Sequence, residues 1–195
     1  MKRISVFCGS SYGTDEIYEK QAFRLGELLA ERNIGLVYGG ANIGLMAAVA
    51  NGALAKGGEV TGVLPSFMAK KGLEHKYLTN LILVDSMHER KTRMNELSDG
   101  VIALPGGYGT LEEFFEILTW GQLGLHNKPV GILNIKGFFD PVRELALKMV
   151  KEGFLKEENR KMLLINDNIE KLLAQMEIYE APSVDKWIHR DNHIA

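Results

Sequence analysis

Val101-Ile102-Ala103-Leu104-Pro105-Gly106-Gly107-Tyr108-Gly109-Thr110-Leu111-Glu112-Glu113-Phe114-Phe115 reads as a strand, a glycine turn and a helix in immediate succession. The opening apolar run does not alternate with polar residues, as expected of a strand buried on both faces of a parallel sheet. Working outward, the same grammar recurs. Short β-branched or Leu-rich runs at 4–7, 34–38, 59–64, 81–84 and 130–133 bring the strand count to six. Segments of helical period at 15–32, 44–56, 86–98, 111–122 and 141–152 separate them. Strand-helix alternation implies right-handed crossovers and an α/β three-layer sandwich with a mostly parallel sheet. After Gly153 the chain becomes more charged, with a short helix expected at 168–176. No linker or shift in composition divides it, so 1–180 is read as one domain and 181–195 as a surface tail.

The chain has 195 residues, enough for one sizeable core without disulfides or structural metal. Its 21 glycines exceed the roughly 14 that average usage supplies. With 23 basic and 25 acidic residues the net charge is −2, which argues against nucleic acid as a partner. No apolar run approaches the roughly 20 residues needed to span a bilayer. The N-terminal residues lack a secretory leader pattern, and the lone Cys8 has no internal disulfide partner, so a cytoplasmic location is expected.

In open parallel sheets ligands bind beyond the carboxyl ends of the strands, so the decisive residues are those that follow each run. Three such loops are glycine-rich and lead into helices: 8–13, 39–44 and 105–110. Glycines let backbone N–H groups crowd an anion, and a helix N-terminus adds a favourable dipole, which suits a phosphate. The second loop nearly fits a dinucleotide fingerprint with Gly39, Ala41 and Gly44, but Glu59 begins the next strand where an acidic residue should end it. No GxxxxGK[ST] sequence occurs, which excludes a P-loop hydrolase.

Two charges stand out. Glu113 is placed three residues after Thr110, so the pair reads either as a capping box or as a carboxylate set among Ile117 and Trp120 for proton transfer. Arg90 shares a helical stripe with Met87, Met94 and Leu97, which aims its guanidinium along an apolar face and demands an anionic partner, internal or on a substrate. Ser86 and Glu89 form a second capping-box pattern, and Lys91 reads as a solvated residue unless a phosphate draws it in. His189 and His193 have metal-pair spacing without a third ligand and read as surface residues; no metal is expected. Cys8 reads as a small buried hydrophobe. Leu111, Phe114, Phe115, Ile117, Leu118 and Trp120 leave helix 111–122 apolar nearly all round, which suggests a homodimer packed through it and the Met-bearing helix 86–98.

Pro105-Gly106-Gly107-Tyr108-Gly109-Thr110-Leu111-Glu112-Glu113 resembles the PGGxGTxxE signature of the LONELY GUY (LOG) family, cytokinin riboside 5′-monophosphate phosphoribohydrolases long labelled lysine decarboxylases. Cys8-Gly9-Ser10-Ser11, Tyr38-Gly39-Gly40, Gly44-Leu45-Met46 and Met87-His88-Glu89-Arg90-Lys91 support the resemblance, which runs from about residue 4 to 153. Ala41 and Ala47 depart from it where many relatives carry Gly. The resemblance implies a Rossmann-like dimer that hydrolyses the N-glycosidic bond of a purine nucleoside 5′-monophosphate, often N6-substituted, without a cofactor. It implies Arg90 and Glu113 as the catalytic pair. Substrate contacts implied are Ser10, Gly40, Arg90, Lys91, Gly106, Gly107, Tyr108, Gly109, Thr110, Leu111, Glu112 and Thr119. Two other readings stand beside it: a non-catalytic nucleotide or phosphate-ligand carrier, and, last, pyridoxal-phosphate decarboxylation of lysine, for which no Schiff-base Lys stands out.

Overall fold

The first strand, β1 (Arg3–Phe7), shows how the sheet is dressed. Ile4 and Val6 enter one apolar core, Phe7 enters a second on the opposite face, and Ser5 donates from Oγ to the Met94 carbonyl at 3.0 Å. Both faces are covered because the strand runs through the middle of the sheet. The structure is a computed structural model that describes residues 1–182.

Seven parallel strands form one sheet in the order β4-β3-β2-β1-β5-β6-β7, with β2 at Gly35–Tyr38, β3 at Val60–Pro65, β4 at Asn80–Val84, β5 at Gly100–Ala103, β6 at Val130–Leu133 and β7 at Leu163–Asn166. The single-domain α/β architecture is as expected, with one strand more and every pairing parallel. The uncounted strand, β7, lies among charged residues and is only half buried, so its apolar signal is weak. The run at 81–84 is an edge strand and not a doubly buried one: Leu81 and Leu83 are exposed because no long helix covers them.

Helices α1 (Glu16–Glu31), α2 (Gly44–Ala55) and α8 (Ile169–Glu177) cover one face. Helices α4 (Met87–Leu97), α5 (Tyr108–Gln122) and α6 (Asp140–Lys151) cover the other; α3 (Ser66–Ala69) and α7 (Glu157–Arg160) are single turns. Helices α1 and α2 touch backbone to backbone: a Cβ on Gly26 would stand 2.1 Å from the Val49 carbonyl oxygen, and one on Gly52 2.0 Å from that of Phe23. Strand order reverses between β1 and β5, so the loops after these strands border one crevice at the carboxyl end of the sheet. They are tied directly, Gly9 N–H donating to the Pro105 carbonyl at 3.0 Å. From residue 183 the expected tail, with His189 and His193, lies outside the described residues.

Candidate functional site

The crevice holds a cleft of about 290 Å³, lined by Gly9, Ser10, Ser11, Tyr12 and Gly13 of the first loop, Pro105, Gly106 and Gly107 of the third, and Tyr18, Leu45 and Phe138. This volume is near the lower end of the roughly 300–1,000 Å³ usual for small-molecule sites. One wall is the start of α5. Gly107 is its N-cap and offers no side-chain hydrogen bond, so the amides of the first turn are left for a ligand. The loop's glycines have different tasks. A Cβ on Gly106 would fall 2.1 Å from Thr110 Oγ1 and 2.8 Å from the Gly9 nitrogen, whereas Cβ atoms on Gly107 and Gly109 would meet nothing within 4 Å.

Because the helix starts at Tyr108, Thr110 sits inside its first turn and is not the cap, and the capping-box reading of Glu113 falls away. Glu113 faces inward instead and is paired with Arg90, Nη1 to Oε1 at 3.4 Å, the two side chains 8% and 10% exposed. Burial lifts the Glu113 carboxyl above the ordinary carboxylate range; Arg90 pulls it down, Glu112 pushes it up. The guanidinium is seated against Gly39 so closely that a Cβ there would lie 1.9 Å from Arg90 Nη2. Arg90 Nε is buried without a hydrogen-bond partner among the described residues. Cys8 flanks the pair and is the small buried group expected: burial raises its thiol, with Glu113 adding to the effect and Arg90 opposing it.

Lys91 corrects the expectation of a solvated residue. It is 7% exposed and is held by Glu112 Oε1 at 2.5 Å and Glu116 Oε2 at 2.8 Å, which bind α4 to α5. Ser86 caps α4 as expected, accepting from Glu89 N–H at 3.1 Å, while Glu89 accepts from Asp85 N–H at 2.8 Å. Ser10, Gly106 and Gly107 line the cleft; Tyr108 and Gly109 are exposed on the first turn of α5 beside it, Thr110 is buried behind it, and Leu111 is half-buried. Gly40 is buried in the second loop with its carbonyl taken by His75 N–H at 3.0 Å. Thr119 is not brought to the cleft; it lines a separate apolar groove with Phe115, Leu118, Met149 and Met162. Sequence reasoning missed Glu74, whose Oε2 is buried without a partner among the described residues and whose backbone bridges to Ala41 of the second loop. No local pattern marks it; only the long-range pairing does.

Residues 46–176 match a family model described as "possible lysine decarboxylase". The cytokinin riboside 5′-monophosphate phosphoribohydrolase LOG2 of Arabidopsis thaliana is 41% identical over 189 residues, 97% of this chain and 88% of that protein. The chain belongs to the LOG family. The LOG7 phosphoribohydrolase of the same plant is 43% identical over 185 residues, 95% of this chain and 85% of its own. Among solved structures, the molybdenum cofactor binding protein of Rippkaea orientalis superposes with a TM-score of 0.68 at 24% identity, covering 90% of this chain and 94% of that one, a likeness of fold alone. In this LOG-family chain Pro105, Gly106 and Gly107 of the signature line the cleft, while Glu113, with Arg90, is buried and outside its lining. Among the described residues no three His, Cys, Asp or Glu side chains gather as a metal site, and no helix is long and apolar enough to cross a membrane.

Proposed function

We propose that this protein hydrolyses the N-glycosidic bond of purine nucleoside 5′-monophosphates, N6-substituted adenosine 5′-monophosphates in particular, releasing the free base and ribose 5-phosphate. The observation that carries the reading is the buried Arg90–Glu113 pair set behind an uncapped helix N-terminus at the switch point of the sheet. The first-turn amides of α5, with Ser10 opposite, suit the 5′-phosphate. Breaking the bond from C1′ to the base nitrogen sends its electron pair to the base and leaves cationic character on the ribose. The Glu113 carboxylate stabilises that charge and takes a proton from the water that attacks C1′; the departing base takes up one proton from solvent and Glu113 returns its own, so one water is consumed for each base and ribose 5-phosphate released. Arg90 orients Glu113 from one side of its guanidinium, and its unpartnered Nε–H is free to donate to the substrate. Glu74 Oε2 supplies an acceptor at the second loop.

The carrier reading is less favoured, because the cofactor-binding solved structure resembles this chain in fold at 24% identity while phosphoribohydrolases match it at 41–43%. Decarboxylation fares worse, since Lys91 is committed to two carboxylates. A homodimer packed through α5 is part of the proposal: Phe115 is 37% exposed and Leu118 half-buried beside an apolar groove. A reducing cytoplasm suits a chain whose one cysteine is free and buried. Incubation with a panel of nucleoside 5′-monophosphates, scored by released base, tests the activity and ranks the substrates. Light scattering at micromolar concentration tests the dimer, and a monomer mass refutes it.

A further inference from the structure

His75 is a buried imidazole to which the reaction assigns no task. It is 4% exposed, and from residue 66 to 79, between β3 and β4, it is the one buried position. Its Nδ1 accepts from Tyr77 N–H at 3.3 Å, and its Nε2 lies 3.0 Å from Asn51 Oδ1 on α2. An accepting Nδ1 places the ring proton on Nε2, so Nε2–H donates to Asn51 and the neutral ring is satisfied on both sides. Burial holds this imidazole below its ordinary range and so keeps it neutral.

What this ring anchors lies against the catalytic pair. His75 N–H donates to the Gly40 carbonyl at 3.0 Å and Asn42 N–H to the Leu73 carbonyl at 2.8 Å, with Ala41 bridged antiparallel to Glu74. The segment is a ribbon of two hydrogen bonds laid along the second loop, too short to hold itself in water. Gly39 begins that loop and seats Arg90; Glu74 lies between the two bonds and carries the orphaned carboxylate oxygen.

We propose that His75 and Asn51 are positioning residues for base release: the Nε2–H···Oδ1 bond pins residues 73–77 to α2, which holds the second loop under Arg90 and presents Glu74 to the substrate. The kinetic consequence rests on the hydrolase reading above, whereas the pinning itself does not. Three variants separate the elements. His75→Ala removes the ring, Asn51→Ala removes only the acceptor from an exposed helix position, and His75→Gln supplies an amide donor that reaches Asn51.

The test measures amide exchange at residues 42 and 75, kcat with an N6-substituted AMP, and inhibition by ribose 5-phosphate, which reports the first and third loops alone. In both alanine variants exchange should accelerate at least about tenfold and kcat should fall by roughly ten- to a hundredfold, the scale of an ångström-sized misplacement. The inhibition constant should stay within about twofold, and His75→Gln should restore protection and most of kcat. A merely structural role would instead also weaken inhibition by ribose 5-phosphate, in step with faster exchange and lower kcat. Unchanged exchange and kcat in the alanine variants, or a His75→Gln variant that behaves like alanine, overturns the proposal. A wild-type protein that releases no base refutes the hydrolase reading, and the exchange comparison then decides the pinning by itself.

Discussion

Replacing Gly39 by Ala tests whether the seat of Arg90 governs catalysis. Its φ lies outside the left-handed region, so alanine is tolerated by the backbone, and loss of glycine's freedom in the unfolded chain contributes about 0.4–1 kcal/mol of stability. Against this, the new Cβ lies 1.9 Å from Arg90 Nη2, 3.0 Å from its Cζ and 3.1 Å from Met46 Sδ. The guanidinium must retreat by more than about 1 Å to reach ordinary contact, weakening its hold on Glu113, and a displacement of that size costs on the order of a hundredfold in rate. The stability terms oppose each other and should leave unfolding within roughly 1.5 kcal/mol of wild type, under about 5 °C in Tm for a chain this long. Chromatographic assay of base released from an N6-substituted AMP, alongside thermal unfolding, reads both quantities. Wild-type kcat in Gly39→Ala refutes the reasoning, as does a loss of activity matched by a collapse of the fold.

Glu113→Gln should lower kcat by about 10²–10⁴-fold, the usual contribution of a general base. Because burial favours the neutral form of this carboxyl over the ionised one, the neutral amide should fold at least as stably as wild type near neutral pH, measured by denaturant unfolding. The acid limb of kcat should lie above 4.5, because burial raises the Glu113 carboxyl and the ionised form acts. Since the native state keeps this proton to higher pH than the unfolded chain, the group's stabilisation is full below 4.5 and is lost as pH rises through its raised value; Glu113→Gln should abolish that loss in unfolding measured against pH. Gly106→Ala should disrupt the third loop through backbone contact with Gly9, lowering both Tm and activity. Gly109→Ala meets open space and gains helix propensity, so it should fold at least as well as wild type, and any rise in KM then reports crowding of the ligand.

Much of this arrangement was legible in the sequence, for identifiable reasons. Strands that are doubly buried announce themselves by unbroken apolar runs, so β1, β2, β5 and β6 were clear, while edge strand β4 was read as interior and half-buried β7 was missed. Arg90 and Glu113 were legible because each lies on the apolar side of its own helix. The helix start at Tyr108 was not, since a glycine N-cap leaves no side-chain signal, and Thr110 with Glu113 imitated a capping box. Lys91 looked solvated because its partners Glu112 and Glu116 come from another helix. Glu74 and His75 depend on pairing with residues 40–42, contacts that local periodicity does not encode.

The central claim is that a buried carboxylate turns a phosphate cradle into a nucleotide hydrolase. Its most direct test is incubation of the wild-type protein and Glu113→Gln with an N6-substituted AMP, following free base and ribose 5-phosphate together. Equimolar appearance of the two products from the wild type, at a rate at least about a hundredfold above that of the variant, is the predicted result. Tight nucleotide binding by calorimetry with no base released over a long incubation, or equal turnover by both proteins, contradicts it.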